Sequence, residues 1–303
     1  MVLLELFSGI GGFGKGLEDA GFDFGKIYFS EIDKHAIANY KYRFNHAQYI
    51  GKVEDVLQSG IDRPSIITFG SPCQDFSFVG ERRGMSGEQS SLISQAIAAI
   101  SYFRPDVFVW ENVKGAFTSN GGEDFWAIIQ AFADIGGYGC EWQLVNTTWI
   151  LPQNRERIYL VGYLHERFGD WREIFPLAEN GCTPEGKNDP DKNGIKTPIC
   201  GTISTRFGSR PTDTFVLMEA EANADPNRLI NGKQVRRFTE TECERLQGFP
   251  DNWTKFGDYD GTVREISATQ RHKLIGNAVS AVMAELIGLK LLNNFKQLKV
   301  NSK

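Results

Sequence analysis

Four residues could do chemistry together, two of them at the carboxyl ends of strands, where an open α/β sheet collects catalytic groups. Cys73 lies in "GSPCQDFS", directly after the apolar run "SIITF". It follows Pro72 in a loop, which suits a reactive thiol better than the small buried hydrophobe that a cysteine usually is. The next stretch, "DFSFVGERRGMSGEQSS", is rich in Gly and Ser and carries Arg82 and Arg83. Such a loop can close over a polyanion. Glu111 lies in "WENVKG", at the end of the next apolar run. A buried carboxyl there can hold a proton and donate it in a hydrogen bond to a ring nitrogen, with Asn112 holding the loop. The plainer reading is an acid that caps a strand-to-helix turn. In "PQNRER", which also holds Gln153, Arg155 and Arg157 are two apart. An extended segment points both to one side, toward the cleft of Cys73 and Glu111, although alternating charges also make an ordinary soluble edge.

A second constellation is "LFSGIGGFGKG" near the start of the chain. Gly9, Gly11 and Gly14 spell G-x-G-x-x-G between a strand and a helix, and Glu31 follows where a ribose-binding carboxylate would stand. Taken alone, this describes a nicotinamide oxidoreductase. That reading gives no work to Cys73, Glu111 or the two arginines.

These residues need a frame that brings strand ends together. From Val2 to Gly162, "VLLELF", "KIYFSEI", "SIITFG" and "DVFVWEN" read as buried parallel strands. Between them "GGFGKGLEDAG", "DKHAIANYKYRF", "SSLISQAIAAISYF" and "EDFWAIIQAFADIGG" read as helices. Strand alternating with helix predicts a doubly wound α/β sheet. "CEWQLVNT" and "RIYLVGY" lie too close together for a crossover helix and predict an antiparallel hairpin. After Tyr163 the sequence is rich in Gly, Pro, Asn and Asp and predicts a separate loop-rich region. Helical pattern returns at "TETECERLQGF", where Thr239 and Glu242 form a capping box, and in the long amphipathic stretch after Ala268. The expected domains are 1–162, 163–265 and 266–303.

Composition narrows the class. The chain has 303 residues, 41% of them hydrophobic, and no apolar run of membrane-span length. The residues after Val2 read as a strand and not as a secretory leader, so a cytoplasmic protein is expected. Five scattered cysteines without a C-x-x-C pair argue against a disulfide framework or a zinc site, and no metal is expected. The formal charge of −5 leaves room for a local basic cleft and no more.

In order and spacing, "FSGIGGF", "SEID", "GSPCQ", "ENV", "QNRER", "RRFTETECERLQGFP" and "IGNAV" are the motif series of the DNA cytosine C5 methyltransferases, and the chain closely resembles that family from Leu3 to Ser280. The resemblance implies a Rossmann-like sheet that binds S-adenosyl-L-methionine, with a small target-recognition domain in the stretch that lacks motifs. It implies that Cys73 adds to C6 of a cytosine flipped out of double-stranded DNA, so that C5 can take the methyl group. Glu111 then contacts N3 and the exocyclic amine, Arg157 binds O2, and Arg155 lies near the thiol and the ring. For the cofactor it implies Phe7 at the adenine and Ser8, Gly9, Gly11 and Gly12 in the close-approach loop. Glu31 takes the ribose, Ile32 lies beside the adenine, Asp55 reads its amino group, and Asn277 closes the pocket.

Toward DNA the resemblance implies Gln74, Ser77, Arg82 and Arg83 in the loop, with Thr202, Arg206 and Arg210 in the recognition region. Arg237, Glu242 and Arg245 resemble small-domain scaffold. The implied protein is a monomer of bacterial or phage modification type, cytoplasmic and working at the nucleoid. It has no membrane partner, and a cognate restriction endonuclease, where there is one, acts separately. Two readings stand beside it. A branch of the family methylates tRNA, but its "CFT" signature is absent from the recognition region here. A relative that only binds DNA would have no use for the full set Cys73, Glu111, Arg155 and Arg157.

Overall fold

The computed structural model describes residues 1–71, 92–177, 199–205, 214–219, 229–230 and 233–301. Its large sheet runs β3-β2-β1-β4-β5-β7-β6. The strands are β1 (Val2–Leu6), β2 (Lys26–Ser30), β3 (Gln48–Tyr49), β4 (Ile66–Gly70), β5 (Val107–Val113), β6 (Tyr138–Asn146) and β7 (Glu156–Leu164). The first five are parallel, and β7 enters antiparallel between β5 and β6. This is the α/β sheet that the sequence predicts, with its terminal hairpin. The reversal follows from the short connection after β6, which leaves no length for a crossover.

Helices α1 (Gly12–Asp19), α2 (Lys34–Arg43), α3 (Leu92–Phe103), α4 (Gly115–Thr118) and α5 (Glu123–Asp134) flank the sheet. Successive strand residues face opposite layers. Leu3 and Ile66 join the core with Phe13, Leu17 and Tyr40, whereas Leu4 and Ile67 join the one with Ile93, Ile100 and Phe125. Both faces are covered, so the central strands are mostly apolar, with Glu5 of β1 and Thr68 of β4 as buried polar exceptions.

Beyond β7 the elements shorten. β8 (Val216–Glu219), β9 (Leu229–Ile230) and β10 (Lys233–Arg236) form a small antiparallel sheet, followed by α6 (Glu240–Leu246). The expected capping box of Thr239 and Glu242 opens α6, and both Arg236 terminal nitrogens lie 2.7 Å from the Glu242 carboxylate. Next come β11 (Phe256–Tyr259), β12 (Thr262–Glu265), α7 (Ala268–Asn277) and α8 (Ala281–Asn301). Contacts with the large domain begin before position 266. Asn39 Nδ2 donates to the Trp253 and Phe256 carbonyls (2.9 and 2.8 Å), and Trp253 Nε1 donates to the Ile10 carbonyl (2.9 Å).

The apolar stretch Ala268–Leu298 is long enough to cross a membrane by length and composition, but it is folded as two helices that break at Ala278. Met283, Ile287 and Leu291 of α8 are buried in the core with Leu17 of α1. A Cβ on Gly16 would stand 2.5 Å from the Ala284 Cβ, and its absence lets the two helices close together.

Two buried acids fasten this framework. Glu244 of α6 is fully buried and accepts from Arg271 Nη2 (2.9 Å) and from the Thr254 amide (2.8 Å), while Arg271 Nε donates to Thr254 Oγ1 (3.0 Å). Glu5 of β1 is also buried, beneath the start of α1, and accepts from the Tyr40 hydroxyl and the Gly14 amide. Burial pushes its carboxyl up to about 7 against those two hydrogen bonds.

Arg271→Met leaves the Glu244 charge buried without its partner and is expected to cost about 3–5 kcal/mol in urea unfolding. Glu5 gives a signed pH effect. A folded pKa above the unfolded one favours folding at low pH, and that contribution is lost as pH rises toward about 7. The thermal midpoint should therefore fall between about pH 4.5 and 7, and Glu5→Gln should flatten that slope.

Candidate active site

The carboxyl ends of β1, β2, β4 and β5 carry the site, and the strand order reverses between β1 and β4. Ligands bind at such switch points because the loops on either side diverge. Leu6 pairs with Ser30, so Phe7 and Glu31 leave the sheet side by side. Phe7 (φ 52°), Gly9 (φ 55°) and Gly11 (φ 78°) all take positive φ, which turns the loop back over the strand end. For Phe7 that backbone is uncommon and marks a constrained position. Glu31 fastens the turn by accepting from the amides of Gly9 (2.8 Å), Ile32 (2.7 Å) and Asp33 (2.9 Å).

A donor molecule fits here. Ser8 Oγ is buried and has no partner among the described residues, and the space beside Gly9 where a Cβ would point is open. Ile32, an apolar side chain, is 74% exposed next to Glu31, as a residue awaiting a flat ring would be. Asp55 stands at the start of the 3-10 turn Val53–Gln58, where one oxygen accepts from the Lys52 amide (3.2 Å). Asn277 is exposed at the end of α7.

On the other side of β4, Gly70 pairs with Glu111 of β5. Ser71 follows, buried and pinned by three hydrogen bonds. Trp110 Nε1 donates to its Oγ (3.1 Å), and Asn112 Nδ2 donates to its carbonyl and Oγ (3.0 and 3.1 Å). The segment that carries Cys73 thus departs from a fixed point. Cys73, Gln74, Ser77, Arg82 and Arg83 lie outside the described residues, as do Arg206 and Arg210.

Glu111 is buried, and its Oε1 lies 3.0 Å from Arg157 Nε. The pair follows from register. Glu111 faces Tyr159 across the antiparallel ladder, so Arg157, two residues along, is its diagonal neighbour on the same face. Arg157 Nη1 donates to the Glu156 carbonyl (2.7 Å).

Arg155 departs from the expectation that both arginines open onto one cleft. It is buried, its Nη1 donates to the Ile203 carbonyl (3.0 Å), and its Nη2 donates to the Ala278 carbonyl (2.7 Å). Burial, with the Arg157 charge nearby, lowers its guanidinium to about 9. The period-two argument holds only inside a strand, and β7 begins at Glu156. Arg155 therefore clamps two backbone carbonyls near the Glu111–Arg157 pair, with its buried Nε left without a partner among the described residues. Segment 200–202 is stitched to the same connection, because Thr202 Oγ1 donates to the Asn154 carbonyl (2.6 Å) and the Asn154 amide to the Cys200 carbonyl (2.7 Å).

The two half-sites meet at Val279. Its carbonyl lies over Gly12, where no Cβ could fit, and its Cγ2 lies 3.6 Å from where a Gly70 Cβ would stand. Glu111 Oε2 approaches the same Gly70 position to 3.2 Å. Sequence reasoning missed Val279, Trp110, Ser71 and Glu5, because small, apolar or buried residues show their role only through their neighbours. Lys273 was missed as well. Its Nζ lies 2.7 Å from Asp33 Oδ2. Burial works against the Asp33 charge, but this bond and the amides of His35 and Ala36 outweigh it and hold the carboxyl below its ordinary range.

Comparison with known proteins agrees with this geometry. The profile of the C-5 cytosine-specific DNA methylases matches residues 1–180 and 191–293. The type II methyltransferase M.HaeII of Haemophilus aegyptius is 30% identical over 96% of this chain and 92% of its own length. An orphan methyltransferase of Bacillus phage rho11s, M.Rho11sI, is 31% identical over 64% of this chain, and the match spans 39% of that longer enzyme. Among solved structures, a mutant DNMT2 of Spodoptera frugiperda has the same fold, with a TM-score of 0.67 at 17% identity over 97% of this chain and 99% of its own. A putative prophage DNA modification methyltransferase from E. coli gives 0.59 at 20% identity over 98% and 99%. The chain thus belongs to the C-5 cytosine-specific DNA methylase family, whose members use S-adenosyl-L-methionine.

Proposed function

We propose that this chain, acting as a monomer, methylates C5 of a cytosine at a specific sequence in double-stranded DNA, through a covalent bond between Cys73 and C6 of a base rotated out of the stack. The Glu111–Arg157 pair, next to the fixed start of the Cys73 loop and joined to the Gly9–Gly12 turn through Val279, carries the reading. Relatives named as type II and orphan methyltransferases support a modification enzyme, and a cognate restriction endonuclease, where there is one, acts separately.

Phe7, Ser8, Gly9, Gly11, Gly12, Glu31, Ile32, Asp55 and Asn277 are the residues that hold S-adenosylmethionine. When bound, it supplies an electrophilic methyl group. The rest is the work of the chain's own side chains. A stacked base cannot present C6 to a thiol, so it must leave the helix at a cost of a few kcal/mol. Gln74 and Ser77 stand in the loop that fills the gap, with Arg82 and Arg83 for phosphates and Thr202, Arg206 and Arg210 on the recognition side. As the Cys73 sulfur bonds to C6, the electron pair of the C5–C6 double bond moves toward C5 and charge spreads to N3 and O2.

Arg157 uses Nε on Glu111 and Nη1 on the Glu156 carbonyl, so among the described residues Nη2 is left for the pyrimidine O2. The same pair holds Glu111 in place, where its carboxyl shares a proton with N3. Once C5 carries its methyl, loss of the C5 proton lets the C6–S bond break. The double bond and the thiolate are restored.

Bisulfite sequencing of DNA from cells that express the protein should show protection of cytosine at one sequence context, and none with Cys73→Ser. Duplexes of that sequence with 5-fluorocytosine at the target should give a denaturation-resistant adduct, because fluorine cannot leave as the proton does. Protection without an adduct would overturn the covalent route. Glu111→Gln should lower kcat by about 10²–10⁴-fold. The KM for DNA should change far less, as expected of a group that acts on the ring.

A further inference from the structure

Helix α7 and the turn that follows it are fastened to several separate parts of the molecule. Lys273 Nζ lies 2.7 Å from Asp33 Oδ2. Asp33 in turn donates its amide to Glu31 (2.9 Å), and its side chain caps α2 at the His35 amide (2.9 Å). One turn further on, Gly276 lies so close to the backbone of Ser204 and Thr205 that a Cβ would not fit. Directly after the helix, the Ala278 carbonyl accepts from Arg155, which also holds the Ile203 carbonyl, and the Val279 carbonyl covers Gly12. On its far side, Arg271 ties α7 to Glu244 and Thr254.

We propose that Lys273 is a positioning residue that makes cofactor binding and DNA binding cooperative, with α7 as the rigid link between loop 31–33 and recognition segment 201–205. The inference rests on the assignment of Glu31 to the cofactor and of segment 201–205 to DNA. Ten helical residues move as one rod about 15 Å long. A ligand that settles loop 31–33 thereby settles Gly276, and the Ser204–Thr205 backbone has no slack against it. The ordering cost of the recognition segment is then met in part before DNA arrives, which is positive coupling. Lys273 makes the charged contact between α7 and the cofactor loop, whereas Arg271 anchors the helix elsewhere. Loss of the lysine therefore uncouples the loop while the helix stays in place.

Titration calorimetry with S-adenosylhomocysteine tests this, on the free protein and on protein saturated with a duplex carrying the site that bisulfite sequencing returns. The ratio of the two affinities is the coupling factor, and the reciprocal titration must return the same value. The wild-type factor should exceed one. Lys273→Met should lower it by about two- to fivefold, the range of a partly exposed ion pair, and Lys273→Arg should restore it. A uniform loss of affinity cancels in the ratio, so a merely structural role would leave the factor alone. A wild-type factor of one, or an unchanged factor in Lys273→Met, overturns the proposal. A wild-type protein that binds no S-adenosylhomocysteine overturns the underlying assignment instead, and the first titration shows which has failed.

Discussion

The Arg155 guanidinium donates one hydrogen bond to the Ile203 carbonyl and another to the Ala278 carbonyl. Through these bonds the connection before β7, segment 201–205 and the turn after α7 share one buried charge. A buried charge is costly unless its donors are matched; the two carbonyls take Nη1 and Nη2, while the buried Nε has no partner among the described residues. Several site residues lie around it. Thr202 lies beside the "QNRER" connection, Val279 lies over Gly12, and Glu111 finds Arg157 on the neighbouring strand.

The site is consequently assembled from strand ends and from segments that fold back onto them. β4 and β5 deliver Gly70 and Glu111 in register, β7 delivers Arg157 on the diagonal, and β1 and β2 deliver the glycine turn and Glu31. Three hydrogen bonds fix Ser71, where the chain leaves toward Cys73.

Much of this is legible in the sequence because it follows from period and order. Apolar runs alternating with helical patterns give the parallel strands, and the short span between "CEWQLVNT" and "RIYLVGY" gives the hairpin. Thr239 and Glu242 announce a helix start that the structure forms. Arg155 shows where such reading fails. Alternation predicts that it points with Arg157, but it precedes the strand, so carbonyls distant in sequence decide its direction. The amphipathic stretch after Ala268 does hold the long helix expected of it, α8, and the structure adds a break at Ala278, whose carbonyl accepts from Arg155.

The sequence by itself determined the family, the doubly wound sheet and the identity of the chemical groups, since motif order and hydrophobic period are properties of the chain alone. Only the tertiary structure decided which groups are free to act. Arg157 faces Glu111 while Arg155 is spent on backbone, and Thr202 holds Asn154. Glu5 and Glu244 are buried acids with assigned partners. The reason is physical: a hydrogen bond or an ion pair depends on distance and burial, and for residues a hundred positions apart only the packed fold sets either.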